Sequence, residues 1–209
     1  MTFIPIDRSR WDREEYFSYF SHEVPCLYSM TLNLDVTPVM KRKERPYPPM
    51  LYFLSVVENR HKRYRISFNE KGELGYYDVV HPSYTIFHKD DHTFSSLWTE
   101  YSENYDDFLA SYEADEARYG KVKGLFGKPD RPANLFPVSV IPWVPFQSLH
   151  LSFPKTPGNF FPMYTMGRLH RKRSHYYMPL ALEVNHAVCD GYHAGRIFKE
   201  VQSLINGWR

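Results

Sequence analysis

Apolar residues recur along this chain at two spacings, and the changes from one to the other mark its elements. Trp11, Tyr16, Phe17 and Phe20 return roughly at helical spacing behind Ser9 and Asp12, a pair that resembles a capping box, and they predict a first helix over 10–21. From 24 to 36 the spacing becomes two. In VPCLYSMTLNLDV the residues Cys26, Tyr28, Met30, Leu32, Leu34 and Val36 share one parity, as in a strand with one buried face. PPMLYFLSVVENRH, from 48 to 61, opens with prolines suited to a first helical turn and carries a continuous apolar block, so it reads as a well-buried helix. Two short strands follow, YRISF and ELGYYDV, joined by a hairpin signal at 69–72, and SYTIFH at 83–88 is a further strand.

After Ser102, the residues Tyr105, Phe108, Leu109 and Tyr112 mark an amphipathic helix ending at Gly120. Gly124, Gly127, Pro129 and Pro132 punctuate 121–134, which reads as a loop of the kind that carries function. Beyond it come the strand-like runs LFPVSVIPW, SLHLSF, NFFPMYTMG and YYMPLALEVNHAV. A closing helix has the buried stripe Ala194, Ile197, Phe198, Val201, Leu204 and Ile205, with Gly207 as its stop. No repeat, low-complexity tract or linker divides the chain, so residues 1–209 are expected to form a single domain of mixed helices and strands.

Composition narrows the function classes. At 209 residues the chain can bury a sizeable core without disulfides. Lys plus Arg is 26 against 24 Asp plus Glu, a net charge of +2 that argues against an electrostatically driven nucleic-acid binder. The 43% hydrophobic and 17% aromatic content excludes a disordered chain and calls for an aromatic core or a ring-lined pocket. Cys26 and Cys189 are too few for a disulfide framework and fit a reducing cytoplasm. No stretch resembles a secretory leader or a membrane span. The absence of HExxH, CxxC and paired HxH motifs means that no metal is expected.

Of ten histidines, His186 stands apart, in LEVNHAVCDGYHAG, where an apolar strand meets the closing helix. A side chain there can be held rigidly and still face a cleft. Asp190 can cap the helix or anchor the turn by a salt bridge, and Gly191 permits a sharp turn or close approach to a ligand. Taken alone, the residues leave two readings open: a hydrogen-bonded core histidine beside a capping aspartate, or a catalytic base.

HAVCDGYH closely resembles the HxxxDG signature of CoA-dependent acyltransferases, and specifically the C-terminal motif of the type A chloramphenicol acetyltransferase family. WDREEYF, YPPMLY, VVHPSYTIFH, TFSSLW, SVIPW and MYTMGR occur in the order and at about the spacing of that family, so the resemblance covers nearly the whole chain. It implies a two-layer α/β fold, with a mixed sheet and flanking helices. It also implies acetyl transfer from acetyl-CoA, as co-substrate, to a hydroxyl of chloramphenicol. An alcohol cannot attack unaided, and His186 matches the family's base, which only a neutral imidazole can be. Ser139 matches the hydroxyl that stabilises the oxyanion, and Thr165 matches the residue that holds an ordered water near it. Asp190 matches a structural carboxylate paired with an arginine, for which Arg13 stands in the expected place.

By the same resemblance Phe20, Val24, Cys26, Tyr28, Thr85, Phe94, Phe126 and Leu151 would line the acceptor pocket, and Arg168 would lie against CoA. The family is a homotrimer with active sites at subunit interfaces, which implies that 20–28 of one protomer face His186 of its neighbour. Ser83, Phe153 and Asn185 depart from the family pattern and bear on acceptor range. RLHRKRSH, 168–175, is more basic than the family's hairpin and reads either as a solvated turn or as a patch for CoA phosphates. Two rival functions remain: the same chemistry on another small hydroxylated acceptor, and a catalytically silent binder of hydrophobic ligands.

Overall fold

A computed structural model of the chain describes residues 1–43, 45–151 and 160–208. In chain order its elements are β1 (Phe3–Pro5), α1 (Glu14–Ser18), β2 (Leu27–Asp35), α2 (Thr37–Lys41), α3 (Tyr47–Arg60), β3 (Ile66–Phe68), β4 (Leu74–Tyr77), β5 (His81–His88) and β6 (Thr93–Trp98). They continue with α4 (Tyr105–Tyr119), β7 (Leu135–Ile141), β8 (Met163–Gly167), β9 (His170–Lys172), β10 (His175–Asn185) and α5 (Gly191–Asn206).

The large sheet runs β2-β10-β8-β7-β5-β6, with β9 as a short hairpin partner of β10. It is mixed: β5 with β7 and β7 with β8 are parallel, and the other pairs are antiparallel. A small sheet, β1-β4-β3, stands apart from it. One face of the large sheet carries Leu34, Leu180, Leu182, Tyr164, Val138 and Tyr84, all buried, and α3 and α5 pack over that side. The opposite face carries the row Thr31, Ala181, Thr165, Ser139, fixed by the register of four neighbouring strands. Two layers result, with one sheet face free of helices.

The first predicted helix is broken. Asp7, not Ser9, caps a 3-10 turn at Arg8–Arg10, α1 has a single turn and a half, and a π-helical turn runs over Tyr19–Glu23. Such a turn shifts the facing of the residues after it, and this one delivers Phe20 toward β10. The alternation read over 24–36 fails in its middle, where Leu32, on the parity of the buried Leu34 and on the face that α5 packs over, is 41% exposed in the sheet's edge strand. In YRISF the first two residues, Tyr64 and Arg65, belong to a 3-10 turn over Lys62–Arg65, and the strand begins at Ile66. Strands β6 and β9 were not expected from the pattern, since TFSSLW and HRK have mixed polarity. In SLHLSF no strand forms over 148–151, and the remainder lies outside the described residues. α3, α4 and α5 lie where predicted, within a residue or two.

Candidate active site

The turn from β10 into α5 is built by its own hydrogen bonds and by donors that arrive from three other segments. The Asn185 carbonyl accepts from the N–H groups of Val188 and Cys189, and the Asn185 side chain accepts from that of Ala187. The carbonyls of His186 and Ala187 accept from Arg13 Nη2 and Nε, each at 2.8 Å. The carbonyl of Val188 accepts from Arg63 at 3.0 Å, and that of Cys189 from the Tyr28 hydroxyl at 3.1 Å. Six consecutive carbonyls are thus satisfied, with the Asp190 carbonyl accepting from His193 and Ala194. A turn so fully bonded cannot move without exposing several acceptors at once.

Arg13 is the centre of this arrangement. It is 7% exposed, and besides the two carbonyls it grips the Asp190 carboxylate through Nη1 at 2.7 Å and Nη2 at 2.6 Å. The guanidinium holds the Asp190 carboxyl below the ordinary carboxylate range, so Asp190 stays an anion that orients and does not exchange protons. The expected Arg13–Asp190 pair is present in the fold.

His186 occupies the position this frame fixes. Its backbone N–H donates to the Cys26 carbonyl at 2.9 Å, one step past the end of the β10–β2 register. Its ring lies flat on Phe20, with centroids 4.1 Å apart and planes at 16°, and Tyr28 tilts against it at 5.4 Å. Nδ1 is buried, 3.3 Å from Asp190 Oδ1 but without hydrogen-bond alignment, and a third of the side chain is exposed. The imidazole is clamped by ring packing and still reaches solvent, which leaves Nε2 as the nitrogen available to a substrate.

Gly191 does not earn its place through backbone geometry. Its φ lies outside the left-handed region, and a Cβ added there would meet nothing within 4 Å. The fold itself has no need of glycine at this position.

The remaining candidates fall into two groups. Phe20, Cys26 and Tyr28 gather around His186 of the same chain, which corrects the expectation that 20–28 would face a neighbour's histidine; Val24, nearby, is exposed. The physical reason is the edge pairing of β2 with β10, which carries Tyr28 beside Val184. Ser139 and Thr165 stand side by side in parallel register on the helix-free face. Thr85 pairs with Ser96 on that face, and Phe126 forms an isolated bridge to the same Ser96. Phe94 and Phe126 present exposed rings, and Leu151 lines a small hollow with Thr165, Ala181 and Glu183. Arg168 follows β8 directly, exposed, with its N–H bonded to the Val144 carbonyl. From Ala181 to His186 is five residues of strand, about 16 Å, so one chain holds the two groups apart. Phe153 lies outside the described residues.

Three residues in this region were not singled out from sequence. His193, on the first turn of α5, accepts the Asp190 N–H through Nδ1 at 3.0 Å, and burial beside Arg63 lowers its pKa to about 4. Arg63 supports the turn as described. Glu183 is 4% exposed; its Oε2 accepts the Leu151 N–H while Oε1 is buried without a partner, and burial raises its pKa. The signal for Glu183 was available, an acid inside an otherwise apolar strand. Among the described residues no three His, Cys, Asp or Glu side chains group as metal ligands, and no helix is long and apolar enough to cross a membrane.

Comparison with known proteins bears on the whole chain. The family model described as chloramphenicol acetyltransferase matches residues 1–202. A chloramphenicol acetyltransferase of Clostridium perfringens is 46% identical over 206 residues, 99% of this chain and 100% of that relative. One of Clostridioides difficile is 46% identical over 205 residues, covering 98% and 97%. Among solved structures, one titled chloramphenicol acetyltransferase superposes with a TM-score of 0.81 at 21% identity, covering 98% of this chain and 100% of the other. The dihydrolipoamide acetyltransferase of Azotobacter vinelandii superposes with a TM-score of 0.63 at 14% identity, covering 86% and 81%. At those identities the two structures speak for the fold.

Proposed function

The chain belongs to the chloramphenicol acetyltransferase family, and from that premise we propose that it moves the acetyl group of acetyl-CoA onto a hydroxyl of chloramphenicol, with His186 as general base. The observation that carries this reading is the clamped, solvent-reaching imidazole of His186 on a turn locked by Arg13 and Asp190.

Nε2 of His186 takes the proton of the acceptor hydroxyl as its oxygen attacks the thioester carbonyl. The tetrahedral intermediate carries an oxyanion, for which the Ser139 hydroxyl is the donor, with Thr165 holding a water beside it; a donor so placed is worth about 3 kcal/mol. Collapse breaks the C–S bond, and the imidazolium returns the proton to the CoA thiolate. No acyl-enzyme forms. The exposed rings Phe94 and Phe126, with Leu151 and Thr85, supply apolar walls with a hydroxyl fixing, suited to a flat aryl acceptor. Cys26 serves as a wall and Arg168 lies toward CoA.

The homotrimer belongs to the same proposal. The 16 Å step between His186 and the Ser139–Thr165 row supports a site completed by a second copy, with His186, Phe20 and Tyr28 from one protomer meeting Ser139 and Thr165 of the next. Two free thiols support a cytoplasmic location.

The test is thiol release from acetyl-CoA with chloramphenicol present and absent. Acceptor-dependent release is the expected result. Release with other alcohols but not with chloramphenicol would retain the chemistry and refute the acceptor, and binding without release would favour a silent binder.

A further inference from the structure

The loop over 121–134, which the sequence marks as one that carries function, is laid along the edge strand β6 and fastened to it three times. The Leu125 carbonyl accepts the Ser96 N–H at 2.8 Å, the Gly127 N–H donates to the Ser96 carbonyl at 3.0 Å, and the Pro129 carbonyl accepts Trp98 Nε1 at 3.2 Å. At Gly127 the approach is so close that a Cβ would stand 2.9 Å from Leu97 Cδ2. Asp130 then takes a left-handed conformation, φ 53°, and Arg131 lies over the Phe126 ring, with its guanidinium carbon 4.4 Å from the centroid.

Arg131 is a cation without a counter-charge. Nη1 lies 3.3 and 3.4 Å from the Ser96 and Ser83 hydroxyls, longer than the usual hydrogen bond, while Nε and Nη2 have no partner and no acid is paired with the guanidinium among the described residues. A side chain set in place by a bonded loop, with most of its donors idle, has those donors left for a ligand. Its place is one end of a row of hydroxyls on the helix-free face. Thr85 pairs with Ser96 and Tyr84 with Val138, so Ser96, Thr85, Ser139 and Thr165 stand abreast on four neighbouring strands. Two strand spacings, about 10 Å, separate Ser96 from Ser139. The exposed rings of Phe94 and Phe126 flank the same end.

We propose that Arg131 reads the far end of the acceptor's aromatic ring, donating to the oxygens of a nitro or carboxylate substituent, an inference that rests on the reading of the chain as an enzyme that acetylates chloramphenicol. With the hydroxyl that receives the acetyl group at Ser139, a phenyl ring on a short carbon chain reaches the guanidinium at its opposite end. The fork of nitrogens matches two coplanar oxygens, and a carboxylate, which carries a full charge, gains more from it than a nitro group, which carries none. The short side chain of Ser83 leaves the guanidinium room beside β5, so the departure from the family pattern at Ser83 acts on acceptor range through Arg131.

The experiment measures equilibrium binding, without acetyl-CoA, of chloramphenicol, of its analogue with a carboxylate in place of the nitro group and of its analogue with a bare phenyl ring, to the parent and to Arg131→Gln. Glutamine keeps a donor for the two hydroxyls and removes the charge. Affinity for the carboxylate is expected to fall about tenfold or more and that for chloramphenicol about threefold, while the bare ring binds both proteins alike. Arg131→Lys, which keeps the charge, is expected to recover part of the carboxylate affinity. An equal loss for all three ligands, or no loss for the carboxylate, overturns the proposal; the first is what a residue that only supports the loop would give. Thiol release from acetyl-CoA separates this inference from the acetyl-transfer reading. Selective binding without release for any acceptor upholds the role of Arg131 and refutes acetyl transfer, and release indifferent to Arg131 and to the ring substituent does the reverse.

Discussion

The guanidinium of Arg13 and the carboxylate of Asp190, 177 residues apart in sequence, meet through two parallel hydrogen bonds at 2.7 and 2.6 Å, and the same guanidinium reaches the carbonyls of His186 and Ala187. One side chain thus ties the helical N-terminal segment to the turn that carries the imidazole. Geometry, more than charge, is what this contact supplies.

Arg13→Ala should therefore impair both stability and turnover. It leaves a carboxylate and two carbonyls without their donor. The stability loss is expected at about 2 to 3 kcal/mol, below that of a fully buried pair because Asp190 is a third exposed. Arg13→Lys keeps the charge but not the planar fork, and is expected to recover little of the rate. Chemical denaturation and initial rates of the two variants check this. Because Asp190's folded pKa is depressed, its share of the stability is present above the ordinary carboxylate range and is lost as pH falls through that depressed value.

His193 makes stability fall with acid in a separate window. It is neutral in the folded protein down to about pH 4, whereas in the unfolded chain a histidine takes its proton near 6.5. Between those values the unfolded state binds more protons, so stability rises with pH there and is lost as pH falls from 6.5 toward 4. His193→Gln keeps an acceptor for the Asp190 N–H and does not titrate. Thermal midpoints measured from pH 7 to pH 4.5 should slope for the parent and flatten for the variant; identical slopes would show that His193 is not the group responsible.

The two groups of site residues predict complementation between inactive proteins. His186→Ala and Ser139→Ala, each crippled alone, are expected to regain part of the parent activity when unfolded together and refolded as mixed oligomers. Interfaces that pair an intact His186 with an intact Ser139 then form. No recovery, with mixed oligomers demonstrated by mass, would place the whole site inside one chain.

The legible parts of the molecule were those where one physical signal acts alone. The long helices followed from apolar periodicity and caps, as in α5, where Ala194, Ile197, Val201 and Ile205 are all buried. The Arg13–Asp190 pair, for which the motifs gave the two partners, forms as an ion pair, and the sheet register adds that Ser139 stands beside Thr165. Where several signals compete the pattern failed. The π-helical turn at Tyr19–Glu23 has no spacing of its own, and it sets Phe20 against His186. Edge position, invisible in a single strand's sequence, left Leu32 exposed on an apolar parity. Arg63 and His193 act through backbone groups of the turn, and no motif of residue types announces a bond to a carbonyl.

The central claim is that His186 removes the acceptor's proton. The measurement that meets it most directly is the rate of thiol release from acetyl-CoA with saturating chloramphenicol, for the parent and for His186→Ala of unchanged fold. The account predicts rapid, acceptor-dependent release in the parent and a fall of about 10²- to 10⁴-fold in the variant, the usual worth of a positioned general base. A variant that keeps the parent rate would contradict it.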